Sequence, residues 1–273
     1  GDIALAAGDS EAIGGGLALV SGAGEETGSI RIRTPSANSA AGDVSIVTGD
    51  SASGTAGSVD IATGASAEAP SHVKISVGAT SSALHAGGSV SLNAGESAEE
   101  GGKIVLQAGD STSMSSIGGS VRTIAGTGAA GGDVELAAGE GSMESGGAIS
   151  LTGGAGAAVG GEVRLTGGTG AVGGDVSITS GAAAGIEDTS ATGVVTISSA
   201  AGALTGDVLL RSGEAETGSS GAVNLQSGDG MRAGNVVVSA GASTVQDKGA
   251  SLVLASGDAT AASSIGGTVG LTA

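Results

Sequence analysis

Apolar and variable residues alternate in a short phrase that recurs nineteen times along the chain. Each copy has an aliphatic residue, a variable one, a second aliphatic, two small residues and a glycine, as in Val44-Ser45-Ile46-Val47-Thr48-Gly49. The first aliphatic falls at Ile3, Leu17, Ile30, Val44, Val59, Val73, Val90, Ile104, Val121, Val134, Ile149, Val163, Val176, Val195, Val208, Val223, Val236, Leu252 and Val269, at spacings of 13 to 19 residues. Its partner two residues on is Leu, Ile or Val everywhere except Thr123, and the residue five on is glycine except at Pro35 and Ala200 wherever the chain reaches that far. A period of two bounded by glycines predicts a short strand with one buried face, and its recurrence at a near-constant interval predicts a solenoid. A glycine or a Gly-Gly pair, such as Gly131-Gly132 or Gly173-Gly174, usually precedes each phrase, which suits turns that need positive φ or a close backbone approach.

The expected fold is therefore all-β: a parallel β-solenoid, or β-helix, of about 19 short strands with glycine-rich turns and no helices. The whole of 1–273 reads as a single continuous repeat domain. Packing one Val/Leu face on another favours two strands per coil, in two facing parallel sheets, with one or three repeats per coil as the alternatives. The residue before the strand supports two: Ser29, Ser58, Ser89 and Ser120 alternate with Asp43, His72, Lys103 and Asp133. In that register Arg31 stacks beside Asp60 and Glu135 beside Arg164, opposite charges on neighbouring strands. At roughly 4.8 Å per coil the stack is a rod of about 45 Å. A lone coil buries too little to order itself, so stability has to come from stacking. The pattern runs to both ends, which suggests a segment of a longer chain or filament, or ends that stack on copies of the same chain.

Composition narrows the function. The chain has 57 glycines, no Phe, Tyr, Trp or Cys, and a formal charge of −18. Nothing large is available to fill a conventional core, and the missing cysteines exclude disulfides, thiolate metal sites and Cys nucleophiles. No run of eighteen apolar residues occurs, so no membrane insertion is expected. The acidic surface repels nucleic acid, and nine basic residues spread along the chain make no patch.

Candidate chemistry is sparse, and the expectation is that the protein is not an enzyme: no catalytic, cofactor-binding or metal-binding residue is assigned. His72 and His85 are the two imidazoles, thirteen residues apart and without a shared motif. Acids gather just after the terminal glycine, at Asp9, Asp50, Glu96, Asp110, Glu140, Glu214, Asp229 and Asp258, and in the pairs Glu25-Glu26, Glu99-Glu100 and Glu187-Asp188. No cofactor is expected beyond calcium loosely held on these acidic turns. The spacing differs from calcium-binding nonapeptides, because the Asp of Gly-Gly-Asp-Val sits directly before the aliphatic residue. Gly153-Gly154-Ala155-Gly156 lacks the following helix that a phosphate loop needs. Thr152, Thr166 and Thr179 begin a threonine row of the kind that orders ice, but the equivalent positions elsewhere hold Ala, Arg, Gln, Ser and Val. No Asn-x-Ser/Thr acceptor occurs, and the many Ser and Thr leave O-glycosylation open.

Gly-Gly-Asp-Val-Glu-Leu-Ala-Ala-Gly (131–139) and Gly-Gly-Asp-Val-Ser-Ile-Thr-Ser-Gly (173–181) resemble the Gly/Ser/Val tandem-repeat secreted proteins of algae and oomycetes, with roles in cell coats or flagellar hairs. A weaker resemblance is to bacterial filamentous adhesins. The likeness implies an extracellular or cell-surface structural protein, a rigid rod stacking into a filament, coat or appendage. Its expected partners are itself, end to end through terminal coils, and other filament subunits or glycans. The alternative is the stalk of an adhesin whose binding tip lies outside this segment, and an ice- or mineral-binding surface is a third reading.

Overall fold

The computed structural model describes residues 1–113, 115–183, 191–244, 249–260 and 264–272. Among them there is no strand and no helix. The β-solenoid of about 19 strands, two to a coil in facing parallel sheets, is therefore corrected: the phrases are strand-length segments that have not paired. A strand exists by its ladder, and the backbone hydrogen bonds described here are local closures instead. The energetics of one repeat explain this. Two large aliphatics return about 1.5–3 kcal/mol each when fully buried, whereas fixing a repeat of some thirteen residues costs about 1–2 kcal/mol per residue. Only stacking could offset that cost, and the described residues make no stacking bonds.

No described side chain is buried. The accessible surface is 27064 Å² for a chain of 24.7 kDa. A compact fold of that mass would leave about 10,000 Å² exposed and a fully unfolded one about 36,000 Å². The charge ladder expected from stacking is absent with the stack. Among the described residues the sole ion pair is local, Lys103 Nζ to Glu100 Oε1 at 2.6 Å. Asp60 accepts from Ser58 Oγ at 3.4 Å, and Arg164 Nε donates to Thr166 Oγ1 at 3.4 Å.

The chain falls into two units, Gly1–Glu135 and Leu136–Ala273. In the first, several loops begin on a hydroxyl turn two residues past the terminal position. Ser10 Oγ accepts from Ala12 N, Ser51 Oγ from Gly54 N, Ser66 Oγ from Ala69 N and Ser97 Oγ from Glu99 N, at 3.0–3.3 Å. Such side-chain turns give the backbone an alternative to a ladder, which suits a loop and opposes a strand. In the second unit the described order resides mainly in closures between glycines.

Candidate functional site

The recurring site is a neck, where the terminal glycine of one phrase meets the glycine two residues before the next. At ten positions the amide of the entering glycine donates to the carbonyl of the terminal one. Four such bonds in the first unit run from Gly15 to Gly8, Gly28 to Gly22, Gly102 to Gly95 and Gly119 to Gly109, at 2.9–3.0 Å. Gly132 to Gly126 completes that unit at 2.9 Å. In the second unit Gly147 bonds Gly139, Gly161 bonds Gly154, Gly174 bonds Gly168, Gly193 bonds Gly181 and Gly267 bonds Gly257, at 2.8–3.0 Å. Each closes a loop whose ends lie six to twelve residues apart.

Close approach explains glycine at the entering positions, whereas a Cβ on a terminal glycine such as Gly95 or Gly109 would meet nothing within 4 Å. A Cβ added to Gly119 would lie 3.1 Å from Ala108 Cβ and 3.2 Å from the amide nitrogen and carbonyl oxygen of Gly109. At Gly102 the same atom would lie 3.1 Å from both Ala94 Cβ and Gly95 N. At Gly153 it would collide with the carbonyl of Gly161. Positive φ, the other reason expected for these glycines, is found among the described residues only at Gly218, at +110°, which lies inside a loop and not at a neck.

The aliphatic positions face water. Beyond the first phrase, where Ile3 is the more exposed, the first aliphatic is less exposed than that at the third position, as with Val44 at 54% and Ile46 at 68%, or Val195 at 48% and Ile197 at 75%. Val223, at 44%, is the most covered of the large aliphatics described. The result is a row of half-covered apolar residues along the sequence, far more than a soluble monomer ordinarily leaves open.

The residues considered for chemistry stay apart. His85 Nδ1 lies 2.9 Å from Ser82 Oγ, in an exposed turn. A hydroxyl nucleophile needs a base held by a third group, and no described contact to His85 supplies one. His72 contributes to no described hydrogen bond. Among the described residues no three His, Asp or Glu side chains gather as a metal site. Glu187-Asp188 lies outside the described residues. Without a sheet, Thr152, Thr166 and Thr179 have no ladder to set their spacing. A shallow depression of about 360 Å³ is lined by Arg211, Ser212, Gly213 and Glu214, consecutive residues that bring no distant groups together. No helix among the described residues is long and apolar enough to cross a membrane.

Comparison with models of protein families, with curated proteins and with solved structures finds no match to this chain. The necks were half legible in the sequence. Both glycines stand out in it, but nothing in the spacing says that they bond each other within one repeat.

Proposed function

We propose that the chain is a structural, non-catalytic segment of an extracellular filament, coat or appendage, and that it associates with copies of itself through its exposed aliphatic positions. The observation that carries this reading is the regular exposure of Val, Ile and Leu at the first and third positions of each phrase, with no described core. Apolar surface of that extent is stabilised by burial against a partner, at about 25 cal/mol per Å². Copies of this chain offer the same residues at the same interval, so many registers of contact are equivalent. The charge of −18 keeps separated chains soluble and disfavours nucleic acid as the partner. The extracellular assignment rests on the resemblance of phrases such as 131–139 to secreted tandem-repeat proteins.

The test is sedimentation velocity with electron microscopy over a hundredfold range of concentration, at low and high salt. Elongated particles that grow with concentration, and grow more readily once salt screens the acids, are the expected result. A particle that stays monomeric throughout would overturn self-assembly and move the reading to an adhesin stalk.

A further inference from the structure

Eighteen necks join nineteen phrases, and every closed one has a small side chain, or none, immediately before its terminal position. In the ten closed necks that residue is Ala, Ser or Gly, including Ala7, Ser21, Ala108, Gly153, Ser180 and Ser256. At the four necks where it is β-branched, after Thr34, Thr48, Thr63 and Val77, no closing bond is present among the described residues. Two of these four are clean cases, since Gly49 and Gly57, and Gly78 and Gly88, supply both glycines.

The geometry gives the cause. In a closed neck the Cβ of this residue already lies against the entering glycine, so that at Gly119 the space for a new Cβ ends 3.1 Å from Ala108 Cβ. A second carbon on that Cβ must occupy the path of the incoming backbone. At Gly88 the space for a Cβ is taken by Val77 Cγ1, 2.6 Å away, and at Gly57 Thr48 Cγ2 borders it in van der Waals contact at 3.4 Å. β-branched side chains have few rotamers with which to swing clear. We propose that this position is a steric latch control: a β-branched residue holds the following loop open, and one without a γ-methyl permits closure. The chain thereby carries a built-in unlatched stretch, Pro35–Gly88, between latched ones. A small residue is required and not sufficient. The necks after Ser199 and Ala240 lack one glycine, at Ala200 and Ala250, and those after Ser212 and Ser227 have both glycines yet no closing bond among the described residues.

The inference concerns single loops and is read independently of assembly. The experiment is amide exchange by NMR on the full chain labelled with ¹⁵N-glycine, comparing Ala108→Ser with Ala108→Thr, which differ by one methyl group. Gly119 is expected to exchange about fivefold faster in the threonine variant and at the native rate in the serine variant, while Gly102 and Gly132 stay unchanged as internal references. Equal behaviour of the two variants, whether both fast or both native, would overturn the steric latch.

Discussion

From Gly95 to Gly132 every loop of the first unit is closed by a glycine–glycine bond, whereas from Pro35 to Gly88 none is, among the described residues. The two stretches share the same aliphatic rhythm and nearly the same glycines, and the hydroxyl turn at Ser97 in one matches that at Ser51 in the other. They differ in the residue before the terminal position: Ala94, Ala108 and Ala125 in one, Thr34, Thr48, Thr63 and Val77 in the other. Two γ-atoms per repeat thus separate the latched loops from the open ones in this comparison. Local order in a chain with no described core depends on how closely two backbones can approach, and a γ-methyl at the point of approach is enough to prevent it.

The largest effect should come from removing the approach altogether. Gly102→Val places a branched side chain where even a Cβ would stand 3.1 Å from Ala94 Cβ and Gly95 N. The loop 96–101 should then open, and a protease specific for glutamate should cut after Glu99 and Glu100 about tenfold faster, since the closing bond is lost and repulsion is added. Cleavage at the native rate would mean that the neck does not hold the loop. The reverse change is smaller. Val77→Ala clears the γ-carbon from the approach of Gly88, and the Gly88 amide should exchange about three- to fivefold more slowly, while Val77→Thr should leave it as it is. The gain is smaller because the necks after Ser212 and Ser227 remain open with small residues in place.

The repeat interval, the exposed acids and both neck glycines are all present on inspection of a segment such as Gly95–Gly119. The state of the aliphatic segments is not. Val-x-Leu alternation specifies which face would be buried but not that a partner is at hand to bury it, so Val90 and Val134 obey a strand rule without being in a strand. The glycines were ambiguous in a different way. Turn geometry and close approach both select glycine, and the second explains the entering positions, while the terminal ones show neither. The latch was visible in principle at Thr48 and Val77, but a β-branched residue near a strand end reads as good strand propensity until the neck geometry gives it another meaning.

The smallest effect separates size from charge as the origin of the contrast. Glu100 and Lys103 form their ion pair beside the closed neck of Gly95 and Gly102, with both side chains about three-quarters exposed, 76% and 75%. Solvent and salt screen such a pair, and the loops closed by Gly119 and Gly132 have no ion pair among the described residues. Glu100→Gln should therefore change exchange at Gly102 by less than twofold, at low salt and at high salt alike. A change of about fivefold or more would mean that charge closes the latched stretch, and the steric contrast with Pro35–Gly88 would have to be given up.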